Sequence, residues 1–145
     1  MYNFLKIIWI FFLGFFCLFT STIYANEKIK IGLLVPVTGD NKELGQQIVK
    51  STRIALKDIG SDEIEIYLKD TNSNPNKTIE SAIELNKMGI KIVIGPVFYK
   101  NLVYLEEVED ITFLSLTNRT IGLPKNVISA GINATSQLNS IKKFI

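Results

Sequence analysis

Two periods of hydrophobic and polar residues alternate along most of the chain. Ile29 to Val35 (Ile-Lys-Ile-Gly-Leu-Leu-Val) is a β-rich run closed by Pro36, which predicts a first strand. Leu44, Ile48, Ala55, Leu56 and Ile59 then recur at helical spacing and Gly60 follows, so Leu44 to Ile59 is expected to be a helix with those side chains on its buried face. Glu63 to Leu68 alternates charged and apolar residues, the period of a half-buried strand. Asn74 and Pro75 supply a cap and a first-turn proline for a second helix. Its expected inner face is Ile79, Ala82, Ile83 and Met88, and Gly89 ends it. Ile90 to Gly95 predicts a third strand, Lys100 to Val108 a third helix, Ile111 to Leu116 a fourth strand and Asn126 to Gly131 a fifth. A fourth helix is expected to begin near Ser136 and to be still running at Ile145.

Such regular alternation predicts an α/β fold with a doubly wound parallel sheet. In open sheets of that kind ligands sit beyond the carboxyl ends of the strands. Attention therefore falls on the residues that follow each strand.

The first 25 residues follow a different pattern. A short basic start ending at Lys6 precedes an apolar run from Ile7 to Phe19, then Thr20-Ser21-Thr22 and Ile23-Tyr24-Ala25. This is the three-part layout of a cleaved secretory signal, with the cut after Ala25, and it predicts a periplasmic mature chain. The run is too short for a comfortable membrane span. Bulky Phe16 before Cys17 argues against lipid attachment. Residues 26–145 are then the folded part.

Composition narrows the chemistry. The chain is 47% hydrophobic and 21% charged, which is globular, and 145 residues suffice for one ordinary domain. A net charge of +2, with signs interspersed, gives no nucleic-acid surface. There is no histidine, which removes Ser-His-Asp catalysis and a leading metal ligand. Cys17 is the only cysteine, so removal of the leader would leave no thiol for catalysis, zinc or a disulfide. Neither an enzyme activity nor a cofactor is expected. The triplets beginning at Asn76, Asn118 and Asn133 match a glycosylation pattern by chance in an asparagine-rich chain.

The strand ends carry what chemistry remains. After the first strand comes Pro36-Val37-Thr38-Gly39-Asp40, where Gly39 and Gly45 are wrongly spaced for a phosphate loop. Asp70 follows the second strand, with turn formation and helix capping as the plainer role and ligand contact as the sharper one. Asp40 could join it as a carboxylate pair only if the fold brought the two together, and no neighbouring His or Cys supports a metal site. Gly95-Pro96-Val97-Phe98-Tyr99 follows the third strand, and Thr117-Asn118-Arg119-Thr120 the fourth. Hydroxyls, helix-start amides and an aromatic ring suit an anionic or zwitterionic small molecule, and Arg119 could pair with a carboxylate. Taken singly, Tyr99 is as easily a packing residue and Arg119 a solvated one.

These segments in order resemble a known family. Ile29-Lys-Ile-Gly-Leu-Leu-Val-Pro-Val-Thr-Gly39 with Leu44-Gly45, Asp70-Thr-Asn-Ser-Asn-Pro75, Ile92-Val-Ile-Gly-Pro96 and Phe113-Leu-Ser-Leu-Thr-Asn118 are similar to the first lobe of type I periplasmic solute-binding proteins of the leucine/isoleucine/valine kind. The resemblance implies two α/β lobes clamping a solute for an ABC-type membrane transporter permease, with the second lobe absent from residues 26–145 and the chain a partial one. A related branch activates penicillin-binding proteins, which makes a cell-wall synthase the alternative partner. Ligand contacts are expected at Thr38, Gly39, Tyr99, Thr117 and Asn118. One departure is chemical: amino-acid-binding members usually carry Ser or Thr after the third strand to hold the α-carboxylate, where this chain has Val97, Phe98 and Tyr99. A receiver-like or flavodoxin-like domain fits less well, because Pro36 and Val37 stand where a receiver needs acids.

Overall fold

A computed structural model describes residues 28–143. The expected leader, its cut after Ala25, Cys17 and Ile145 lie outside the described residues. Five strands are present: β1 (Ile29–Val35), β2 (Ile64–Asp70), β3 (Ile92–Ile94), β4 (Thr112–Ser115) and β5 (Val127–Ser129). Three α-helices accompany them: α1 (Lys42–Ile59), α2 (Pro75–Lys87) and α3 (Ala134–Lys142). The strands form one parallel sheet in the order β2-β1-β3-β4-β5. The chain thus steps from β1 to β2 in one direction and returns across β1 to reach β3. Right-handed crossovers then put α1 and α2 on opposite faces of the sheet, the doubly wound arrangement expected from the sequence.

Strand alternation divides the apolar residues between those faces. Leu33 of β1 and Ile66 of β2 line a small cavity together with Val49, Thr52 and Leu56 of α1. Leu34, on the other face, joins the main core with Ala82 and Leu85 of α2, Val93, Phe113 and Val127. Helix ends follow the local chemistry. Gly60 (φ +63°) closes α1 in the left-handed conformation. The Asn74 side chain accepts from the Lys77 amide at 3.1 Å and caps α2, with Pro75 in the first turn.

Three expectations are corrected. The segment expected as a helix from Lys100 to Val108 is instead two short 3-10 turns, Tyr99–Leu102 and Leu105–Glu107, broken at Tyr104 (φ +69°). Its buried residues Leu102, Leu105 and Val108 are three apart, the repeat of the tighter helix. On α1 the expected face is largely outside: Leu44, Ala55 and Ile59 are exposed, while Ile48 and Leu56 are half-buried. The helix stands over β1 and β2 along Gly45, Ile48, Val49, Thr52 and Leu56, a stripe that a search for large apolar residues misses. On α2, Ile83 and Met88 are exposed and the buried stripe is Thr78, Ser81, Ala82 and Leu85. Its two hydroxyls are satisfied internally, Thr78 donating to the Asn74 carbonyl at 2.7 Å and accepting from the Asn101 side chain at 3.1 Å. The Ser81 hydroxyl lies 3.4 Å from the Asp70 carbonyl. The last helix, α3, ends at Lys142.

Candidate functional site

The carboxyl edge of the sheet carries two side-chain clusters, one at the ends of β1 and β2 and the other at the ends of β3 and β4. The first is organised by Asp70. As the last residue of β2, it lies in register with Val35, the last of β1. Its carboxylate accepts from the amides of Val37 (2.9 Å), Thr38 (3.3 Å) and Asn72 (2.9 Å) and from the Thr38 hydroxyl (2.5 Å). The Lys77 ammonium completes the set at 2.8 Å. Partial burial pushes the Asp70 pKa up, but the hydrogen bonds from Lys77, Thr38, Asn72 and Val37 outweigh it and hold the carboxyl well below the usual carboxylate range.

This clamp joins the β1–α1 loop to the β2–α2 loop. Asn72 and Ser73 adopt left-handed backbone (φ 45° and 52°), and the Asn72 amide thereby reaches the carboxylate two residues back. The Asn41 side chain adds a second tie, donating to the Ser73 hydroxyl at 3.0 Å. Gly39 (φ +76°) lies so close to Asn72 that a Cβ would collide with that side chain. Thr38 is exposed, and its hydroxyl proton is committed to Asp70. What it can offer a solute is therefore an acceptor.

The second cluster lies where β3 and β4 end. The Gly95–Pro96 peptide is cis. The Pro96 carbonyl accepts from the Leu116 amide (3.0 Å) and from the buried Ser115 hydroxyl (2.9 Å). Tyr99 is half-buried, and its hydroxyl donates to the Gly122 carbonyl at 3.3 Å. The Arg119 guanidinium lies 3.8 Å from the centre of the Tyr99 ring. Its Nε donates to the Ile121 carbonyl at 3.2 Å.

Thr117 is only 4% exposed; its hydroxyl accepts from the Arg119 amide and its carbonyl from the Ser129 hydroxyl. Asn118, beside it, is exposed. Of the five residues predicted from the sequence, Thr38 and Gly39 thus belong to the first cluster and Tyr99, Thr117 and Asn118 to the second. Because β1 and β3 are neighbours, the clusters are separated by about one or two strand spacings of ~4.8 Å. Asp70 performs the turn role expected of it, but helix capping falls to Asn74. Asp40 is absent from the clamp. Among the described residues no group of His, Cys, Asp and Glu could hold a metal ion.

Sequence reasoning missed the clamp and the Arg119–Tyr99 stack, although of their residues only Lys77 lies outside the loop segments it singled out. The available signal was register: an acid ending β2 faces the loop leaving β1 if the two strands end level.

No family model matches the chain. A Leu/Ile/Val-binding protein homolog from Brucella abortus is 34% identical over 77 residues, which are 49% of this chain and 21% of the relative. Leucine-binding protein LivK from Thermotoga maritima superposes with a TM-score of 0.60 at 21% identity, over 68% of this chain and 31% of that one. The fold is that of a type I periplasmic-binding-protein lobe. The C-domain of LpoA from Haemophilus influenzae, a regulator of PBP1A, shares this lobe fold with a TM-score of 0.61 at 25% identity, over 79% of this chain and 37% of that domain. The chain spans about a fifth of the length of the curated relatives it matches. In this lobe, the edge carrying the two clusters is the one where an open parallel sheet receives ligands.

Proposed function

We propose that this chain forms one wall of a periplasmic site for a small solute, an amino acid or a similar molecule, which it serves to an ABC-type transporter. The single observation carrying the reading is the built carboxyl edge. There the Asp70 clamp fixes Thr38 and Gly39 after β1, and half-buried Tyr99 with exposed Asn118 and Arg119 lies beside it at the ends of β3 and β4. The type I lobe fold and the Leu/Ile/Val-binding relative support it. The wall binds rather than catalyses: Thr38 offers an acceptor, Gly39 close backbone approach, Tyr99 an aromatic surface and Asn118 an amide. Thr117, being buried, holds the turn that carries Asn118.

One wall gives weak binding. A micromolar complex is worth about 8 kcal/mol, and about half of that corresponds to roughly millimolar affinity. Titration of the chain with branched-chain amino acids, followed by NMR, is expected to shift the amides of Thr38, Gly39 and Asn118 with a millimolar midpoint. Thr38→Ala weakens it several-fold. Saturation at nanomolar ligand, unchanged by Thr38→Ala and Tyr99→Ala, would refute the site.

Delivery to the periplasm rests on the basic-apolar-Ala25 pattern of residues 1–25. Intact mass of periplasmic material is expected to begin at Asn26, and a retained leader would contradict the assignment. A second reading, regulation of peptidoglycan synthesis, is favoured by one observation. The LpoA C-domain matches 79% of the chain against 68% for LivK. Co-purification with a penicillin-binding protein, in place of solute binding, would select it.

A further inference from the structure

The strand-end loops of this lobe carry one cation whose geometry is fixed but whose charge is unused. Arg119 lies four residues beyond Ser115, which pairs with Ser129 at the end of β4 and β5, and follows half-buried Leu116, buried Thr117 and exposed Asn118. Three contacts hold it. The Tyr99 ring covers one face of the guanidinium at 3.8 Å, Nε is committed to the Ile121 carbonyl, and the Arg119 amide is tied to the Thr117 hydroxyl. Tyr99 is itself anchored to the Gly122 carbonyl, so ring, guanidinium and the 119–122 turn brace one another.

Among the described residues no carboxylate pairs with Arg119, and the ion pairs there are made by Lys69, Lys77 and Lys91. The two terminal nitrogens of the guanidinium make no hydrogen bond to the described residues either. Asp70, the acid of the first cluster, is already matched by Lys77 at 2.8 Å. Asp40, on the β1–α1 loop, is the remaining acid of the strand-end segments and is exposed.

We infer that the Arg119–Tyr99 stack is the specificity element of the site, selecting a solute that carries a carboxylate. The inference rests on the solute-binding reading and deepens it. Covering one face and committing Nε leaves the terminal edge of the guanidinium, the edge that meets a carboxylate with two parallel hydrogen bonds. The brace also lowers the ordering cost of that contact, because a guanidinium already resting on a ring has less freedom to lose. The loop after β3 has no Ser or Thr at positions 97–99 to receive an anion, only Val97, Phe98 and Tyr99. A stacked cation compensates for that lack: Tyr99 supplies the platform and Arg119 the charge.

Isosteric probes test this without knowledge of the natural solute. Benzoate, benzamide and benzylamine have similar size and differ in charge. NMR titration of the full chain, read at the Arg119 Nε–H and the Tyr99 ring, is expected to give benzoate about three- to tenfold tighter than benzamide, with benzylamine weakest. Arg119→Gln is expected to erase the preference, Arg119→Lys to keep part of it, and Tyr99→Phe to keep most of it. Amide shifts in β1 and β3 report whether each variant is folded, and the comparison among probes in the unaltered chain stands without any variant. Equal affinity for benzoate and benzamide at these resonances, or preference for benzylamine, would overturn the specificity assignment while leaving solute binding intact. If neither the probes nor the branched-chain amino acids perturb the resonances of Thr38, Gly39, Asn118, Tyr99 and Arg119, both readings fall.

Discussion

Asp70 shows how one side chain can set the shape of a loop pair. Three backbone amides, a hydroxyl and an ammonium converge on its two oxygens. Asp70→Ala removes the acceptor from all of them and is expected to cost about 2 kcal/mol, read as a lower urea midpoint. Asp70→Asn keeps one acceptor oxygen and is expected to cost less. The pH dependence has a definite sign. A carboxyl held below its ordinary value when folded contributes stability that is complete above the unfolded pKa of about 3.9 and is lost as pH falls below it. The gap in midpoint between the unaltered chain and Asp70→Asn is therefore expected to be widest above about pH 5 and to narrow by pH 3. A gap of the same size at pH 7 and pH 3 would mean that the charge of Asp70 contributes nothing to the clamp.

At the level of elements, the sequence reports strands better than it reports helix faces. β1 was legible to the residue, Ile29 to Val35, because a β-rich run ends in a proline that cannot continue the ladder. The cap Asn74-Pro75 and the glycines at 60 and 89 were legible for the same local reason. Faces were not, because they depend on what lies opposite. The α2 stripe contains Thr78 and Ser81, and beyond the local Thr78–Asn74 bond their hydroxyls meet partners on other elements, Asn101 and the Asp70 carbonyl. The site was half legible: strand ends named the residues, but the partner of each lay on another loop. Gly45 illustrates the same limit on α1. It is the buried residue of that helix, and a Cβ there would run into the Pro36 carbonyl oxygen. Helix propensity alone favours alanine over glycine by about 1 kcal/mol, so an exposed glycine would gain from the change. Here the close approach reverses the sign: Gly45→Ala is expected to destabilise by about 1–3 kcal/mol, seen as a lower thermal midpoint. A rise in midpoint would show that α1 can lift off the Pro36 loop at no cost.

On the scale of the whole lobe, burial is uneven. The α2 face of the sheet holds the main core, with Phe113, Leu34, Leu85 and Val93 fully buried. On the α1 face, Ile92 of β3 and Ile128 of β5 are 42% and 55% exposed, because α1 covers only the β1–β2 side. Helix α3 has no buried residue among its nine, and its Leu138 and Ile141 are more than half exposed. Its reciprocal Asn133–Ser136 cap satisfies the first turn, but a cap is worth about 1 kcal/mol. An isolated helix shorter than about 12 residues is marginal in water, since packing supplies most helical stability. Described residues 28–143 therefore divide into a sheet with α2 that opens only with global unfolding and a terminal helix that opens locally. Amide hydrogen exchange is expected to follow that division. Leu34, Val93 and Phe113 should exchange at the rate set by global stability, and Leu138 to Lys142 within about tenfold of an unstructured peptide. Slow exchange in α3 would mean that its apolar face is covered in solution, and dilution would then distinguish cover by the same chain, which is concentration-independent, from cover by a second copy.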